Sequence, residues 1–122
     1  MTSVPIKTAI VVLASTETHE GLGRAVNALQ LARELAQHGD AVTIIFDGAG
    51  TIAAAELANP EHRSHRLFAM VQDHVAGACA FCSAAFDVKD QVEAAGVPLL
   101  DEFHGHPSLR SRLADGYHLI TF

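Results

Sequence analysis

The chain has no tryptophan, one tyrosine and only two cysteines. Aromatic residues make up 6% of it, so any core has to be filled by small aliphatic side chains and not by large rings. Positive charge is also scarce. Eight Lys and Arg stand against fourteen Asp and Glu, a formal net charge of -6, and the basic residues never form a run. Such a chain lacks the field that holds a phosphate backbone, which argues against a nucleic-acid partner. Long hydrophobic runs are missing too: the longest, Ala9 to Ala14, falls far short of a membrane span. Met1 to Lys7 lacks the basic segment and long apolar stretch of a secretory leader, so the reading is a cytoplasmic protein with no membrane contact. Two cysteines three positions apart are too few and too close to staple a secreted mini-domain, and in a reducing compartment they read as thiols.

What is present is a chain of 122 residues, 49% hydrophobic and 18% charged, too apolar for disorder. A chain of this size buries roughly two thirds of its unfolded surface around one core. No linker, repeat or low-complexity segment divides it, so residues 1–122 read as a single domain.

Lys7 to Ala14 is dense in Ile and Val and is followed by Ser and Thr, the pattern of a strand buried on both faces. From Leu22 the apolar residues Ala25, Val26, Leu29, Ala32 and Ala36 form a helical stripe, and Gly39 suits its C-terminal cap. Ala41 to Phe46 is a second apolar strand, stopped by the turn residues from Asp47 to Gly50. A short Ala-rich helix near Ile52 to Ala58 follows. Asn59 and Pro60 then suit the cap and first position of another helix, carrying Leu67, Met70 and Val71. Val75 to Phe81 is a weak third strand, and Ala84, Ala85, Val88, Val92 and Ala95 resume helical spacing up to Gly96. Val97 to Asp101 gives a fourth strand. His106 and Pro107 read as a helix start with Leu109 and Leu113 inward, Gly116 as its stop, and Tyr117 to Phe122 as a closing strand.

Strands alternating with helices predict an α/β fold, a three-layer α/β/α arrangement around a five-stranded, mostly parallel sheet. Ligand sites in such sheets gather outside the carboxyl ends of the strands. Four loops are therefore favoured: Ser15 to Gly23, Asp47 to Thr51, the cysteine turn, and Glu102 to His106.

Cys79 and Cys82 lie at the passage from the third strand to a helix. A thiol in the first turn of a helix has its pKa lowered by unpaired N–H groups, and Cys82 is the better placed for this. Cys79 would sit at the strand end, as resolving partner or as the primary thiol if the turn begins sooner. The plain alternative is two packed, inert cysteines. A thioredoxin-type dithiol is a competitor, but two strand–helix units precede the motif and Pro98 follows the cysteines too closely for that layout. His104 and His106 could complete a two-Cys, two-His metal set if their loop folds over the cysteine turn, yet the spacing is not that of a zinc finger, and no metal or cofactor is expected. Either histidine could instead take a proton from a thiol, or sit idle at a helix start. His62 and His65, three apart on the helix expected there, are explained equally well by a solvated face.

Gly21, Gly23 and Arg24 open a helix straight after the first strand, where backbone N–H groups with Arg24 as countercharge could hold an anion. Val26 stands where a dinucleotide fingerprint has its third glycine. Asp47 and Gly48, at the end of strand two, occupy about the place of a ribose-binding acid, although loop and cap chemistry explains them as readily.

These features together are an Ile-Val-rich first strand, a Gly-Arg helix start, a second strand ending in Asp47 and Gly48, cysteine after strand three, and then Gly96-Val97-Pro98. In this the chain resembles the DsrE/DsrF-like family over nearly its whole length. Its stretch from Gly96 to Ser108, with Asp115-Gly116-Tyr117 beyond, resembles the small single-domain branches. The resemblance implies a five-stranded parallel α/β/α fold, assembly into homo-oligomers (trimers or hexamers), and a cysteine after strand three that carries a persulfide between donor and acceptor proteins. Either Cys79 or Cys82 could fill that position, and the resemblance does not choose between them. No Arg-Gly pair follows the cysteines, as it does in some members; Asp87 and Val88 stand there. The leading expectation is an intracellular sulfur carrier or sulfurtransferase. The alternatives are a non-catalytic oligomeric module that binds a small anion or nucleotide, and a CxxC thiol–disulfide redox protein.

Overall fold

A computed structural model describes residues 5–122. The reading of the N-terminal segment falls partly on residues 1–4, outside the described residues.

Five strands form one parallel sheet: β1 (Lys7–Val12), β2 (Ala41–Phe46), β3 (Val75–Cys79), β4 (Leu99–Leu100) and β5 (His118–Thr121), in the order β4-β3-β2-β1-β5. Successive residues of a strand face opposite sides, so the burial of every residue from Thr8 to Val12 means that both faces of β1 are covered. The covering helices are α1 (His19–Gln37), α2 (Gly50–Ala58), α3 (His65–Val71), α4 (Ala80–Ala85), α5 (Lys89–Ala94) and α6 (Leu109–Ala114). The α/β fold expected from the alternation of elements is therefore the one observed, with every strand pair parallel.

The core follows the composition. Ala25, Ala28 and Ala32 bring α1 close to the sheet beside Leu29, and among the described residues the only large rings inside are Phe46 and Phe68, with centroids 6.2 Å apart. Fully burying side chains of this size contributes about 1.5–3 kcal/mol each.

The element boundaries differ from expectation where a side-chain cap decides them. α1 begins at His19 and not Leu22, because Thr18 Oγ1 accepts the Gly21 N–H at 3.0 Å. Asn59 closes α2 instead of opening the next helix; its Oδ1 accepts the Glu61 N–H, and α3 starts only at His65, which leaves His62 in the turn and Met70 exposed. β1 stops at Val12, and β4 is only two residues long. The continuous helix expected over 84–95 is broken into α4 and α5, with Asp87 at φ 58° between them. α6 opens after Ser108, whose hydroxyl accepts the Ser111 N–H, rather than at His106-Pro107; Leu113, expected inward, is exposed.

Candidate functional site

The strand order places the ends of β2, β3 and β4 side by side, and each contributes to one cluster. Asp47 is the first residue after β2. Cys79 is the last residue of β3, Cys82 lies in the first turn of α4, and His106 lies in the loop after β4. One Asp47 oxygen, both sulfurs and one His106 nitrogen all fall within 4.8 Å of one another.

Cys79 itself ends the strand and starts the helix: its Sγ accepts the Cys82 N–H at 3.3 Å, in the way a serine would cap a helix. This stops β3 two residues short of the expected Phe81. The same sulfur lies 3.2 Å from His106 Nδ1 and 3.8 Å from the Gly105 carbonyl oxygen. Cys82 Sγ points to Asp47 Oδ1 at 3.6 Å, and that oxygen also accepts the Gly48 N–H at 2.8 Å.

His106 is held by its backbone and its ring. Its N–H donates to Phe103 O and its carbonyl accepts the Phe103 N–H, a tight two-way bridge, while its ring packs on Phe81 at 4.9 Å between centroids. Gly105 makes this possible: at φ 85°, where an L side chain is strained, it turns its carbonyl to the Phe81 N–H at 2.9 Å. Glu102 anchors the loop from the other end, accepting from Arg112 and from the Ser108 N–H.

The two thiols are unlike. Cys79 is wholly buried, Cys82 is half-buried, and both are free. Burial pushes the Cys79 thiol up to about 12, more than the N–H bond from Cys82 lowers it. The six-residue helix does not overcome that desolvation at Cys79. Ser83, next along α4, is buried with no partner for its hydroxyl among the described residues.

Of the residues singled out in the sequence, the structure brings together Cys79, Cys82, His106 and Asp47, with Gly48 supporting Asp47. His104 lies outside the cluster, exposed at φ 48° with its ring edge-on to Phe103. Gly21, Gly23 and Arg24 belong to another region. The Gly21 N–H is taken by Thr18, Arg24 pairs with Glu20 at 2.9 Å on the helix surface, and Gly23 opens onto a groove lined also by His19, Val26, Arg63 and Ser64. His62 and His65 do not make a joint site: His62 Nε2 meets Thr16 Oγ1 at 2.9 Å, and His65 Nδ1 bonds to Leu57 O at 2.8 Å. The membership of Asp47 in the thiol cluster was the part missed. Its signal lay in the loops, since Asp47 and the cysteines both stand at carboxyl ends of strands that prove to be neighbours.

No family model matches the chain. Over 95 residues it is 32% identical to the uncharacterized protein MJ0733 of Methanocaldococcus jannaschii, covering 78% of this chain and 77% of that protein. The chain belongs to the family of MJ0733. Among solved structures this member of the MJ0733 family is similar to a conserved protein of unknown function, BT1422 from Bacteroides thetaiotaomicron, with a TM-score of 0.63 over 93% of this chain and 94% of that one. At 15% identity that likeness speaks for the fold alone. Among the described residues no helix is long and apolar enough to cross a membrane.

Proposed function

We propose that this protein handles sulfane sulfur, with Cys82 as the receiving thiol and Cys79 as the second, buried thiol. The observation that carries the reading is the pair of free thiols at the carboxyl edge of a parallel sheet, one half-open and one buried, with their sulfurs no more than 4.8 Å apart. A donor meets Cys82 first because Cys79 has no exposed surface. The resemblance to the DsrE/DsrF-like family in the order of elements and in the cysteine after strand three supports the same reading.

The chemistry is exchange at sulfur. The Cys82 sulfur attacks the outer sulfur of a persulfide donor R–S–SH; the donor S–S bond breaks, R–SH leaves, and Cys82–S–SH remains. An acceptor thiol then attacks that outer sulfur, takes it as its own persulfide, and leaves Cys82 as the free thiol. If no acceptor arrives, Cys79 attacks the inner sulfur, a Cys79–Cys82 disulfide forms, and hydrogen sulfide departs. His106 and the Gly105 carbonyl fix the Cys79 sulfur for that second attack. The exposed rings of Phe81 and Phe103 beside the site support docking of a protein donor or acceptor.

The test is mass spectrometry of the reduced, chelator-treated protein after incubation with a low-molecular-weight persulfide. The expected result is a gain of one sulfur atom on the peptide containing Cys82, lost in Cys82→Ser and followed in the parent by disulfide and sulfide release. A protein in which neither cysteine gains sulfur, with Cys82→Ser indistinguishable from the parent, overturns the reading. Disulfide formation without any persulfide would favour the thiol–disulfide alternative.

A further inference from the structure

We infer that Asp47, Cys79, Cys82 and His106 form a four-ligand site for a thiophilic divalent cation of the zinc class. The inference goes beyond sulfur transfer and is independent of it, since it requires only the reduced thiols.

The donor set is two sulfurs, an imidazole nitrogen and one carboxylate oxygen. This is the ligand chemistry of zinc, not of calcium or magnesium, which take oxygen donors almost alone. Zinc bonds sulfur at about 2.3 Å and nitrogen or oxygen at about 2.0–2.2 Å, so the ligands of a tetrahedral site stand roughly 3.4–3.8 Å from one another. Here Cys79 Sγ is 3.2 Å from His106 Nδ1, Cys82 Sγ is 3.6 Å from Asp47 Oδ1, and no pair among the four exceeds 4.8 Å. The Cys82–Asp47 pair is already at ligand spacing, the Cys79–His106 pair needs to open by a few tenths of an ångström, and the widest pairs need to contract by about 1 Å, within the reach of side-chain torsions.

The surroundings also fit. The Cys82 N–H points at the Cys79 sulfur and the Gly48 N–H at the Asp47 oxygen, which orients two ligands from behind. The Phe81 ring fixes the plane of the imidazole, and the Phe103–His106 bridge fixes its backbone. Binding balances as one divalent cation in and two thiol protons out. Two thiolates and the Asp47 carboxylate then surround a charge of two, with the imidazole neutral. Cys79 is buried and the other three are half-buried, so the ion would sit at the protein surface with one side reachable from solvent.

The test is titration of the reduced protein with cobalt(II) in the absence of any sulfur donor. The expected result is a visible d–d band of tetrahedral intensity with a sulfur-to-metal charge-transfer band in the near ultraviolet, saturating at one metal per chain and bleached by zinc. Asp47→Asn and His106→Ala should each weaken binding at least about tenfold, as removal of even a supporting partner does, and Cys82→Ser should abolish the charge-transfer intensity from its sulfur. Serine at buried position 79 risks misfolding, so a second reading uses the parent alone: one equivalent of zinc should protect both cysteines from alkylation. Absence of the tetrahedral band, a band unchanged in Cys82→Ser and Asp47→Asn, or cysteines alkylated equally fast with and without zinc would each overturn the site. Sulfur loading is scored on chelated protein and metal binding without donor, so either reading can fail while the other stands.

Discussion

Two glycines two residues apart on α1 should respond to the same substitution with opposite signs. A Cβ added at Gly21 would lie 2.1 Å from the Ser15 carbonyl oxygen and 3.2 Å from Thr18 Oγ1. The first contact is with backbone, which has no rotamer to change, so the loop joining β1 to α1 must move or the Thr18 cap must break. Overpacking of this kind costs about 1–3 kcal/mol. A Cβ at Gly23 meets nothing within 4 Å, and the residue is exposed inside the helix. There alanine restricts the unfolded chain without strain and should stabilise by about 0.5–1 kcal/mol. Gly21→Ala and Gly23→Ala should therefore differ by about 1.5–4 kcal/mol. In urea, with a slope of about 1.5 kcal/mol per molar, the midpoints separate by roughly 1–2.7 M, with the parent between them. Midpoints that move in the same direction, or a Gly21→Ala protein as stable as the parent, would refute the close approach of α1 to the Ser15 carbonyl.

Two further outcomes are expected. Ser83→Ala removes a buried hydroxyl that has no partner among the described residues and should raise stability by about 1 kcal/mol in the same denaturation assay; a fall would mean that the hydroxyl is in fact satisfied. Arg112 and the Ser108 N–H hold the Glu102 carboxyl below its ordinary value of 4.5. A depressed folded-state pKa gives stability that is present above the unfolded value and lost as pH falls through the folded one, so this contribution should be intact at neutral pH and fade below about 4.5. Glu102 is 41% exposed, and solvent screening limits the contribution to about 0.5 kcal/mol. Glu102→Gln should lose that amount at pH 7, lose progressively less as the pH falls below about 4.5, and exchange its Ser108 amide hydrogen faster; a deficit that does not shrink on acidification would contradict the role of the carboxylate.

The layers and strand identities were legible because they depend on period and length. A run such as Ala41–Phe46, short, rich in β-branched residues and closed by turn residues, favours a buried strand over a helix, and the stripe through Ala25, Leu29 and Ala32 has one face to bury. What was not legible depended on caps and on contacts distant in sequence. Nothing local distinguishes Asn59 as the end of α2 from Asn59 as the start of the next helix, because asparagine serves both turns. Nor does a cysteine announce itself as a helix cap, which is how Cys79 shortens β3. At the site, the two cysteines and the His106 loop could be seen in the sequence, whereas their union with Asp47 needed β2, β3 and β4 to be neighbours. His104 and His106 look equivalent in sequence. The left-handed turn through His104 and Gly105 separates them, leaving one ring exposed and the other on Cys79.

The two proposed occupants of the cluster, sulfane sulfur and a zinc-class cation, would make different demands on it. A sulfane sulfur is an uncharged addition: the thiol of Cys82 is exchanged for a persulfide while a donor thiol departs, and no net charge enters the site. Cys79 can remain a buried, neutral thiol while Cys82 carries the sulfur, as desolvation favours, and reacts only when no acceptor arrives. Zinc demands the reverse. It brings two positive charges into contact with the Asp47 carboxylate, and only that charge makes two thiolates tolerable in so small a volume, one of them wholly buried. A carried sulfur would therefore sit on the open thiol, with Cys79 entering only to release it as sulfide, whereas a metal would hold both thiols at once together with Asp47 and His106. Asp47 accepts the Gly48 N–H but has no bond to make or break in sulfur exchange, so Asp47→Asn is the substitution that a metal site would feel and sulfur loading would not.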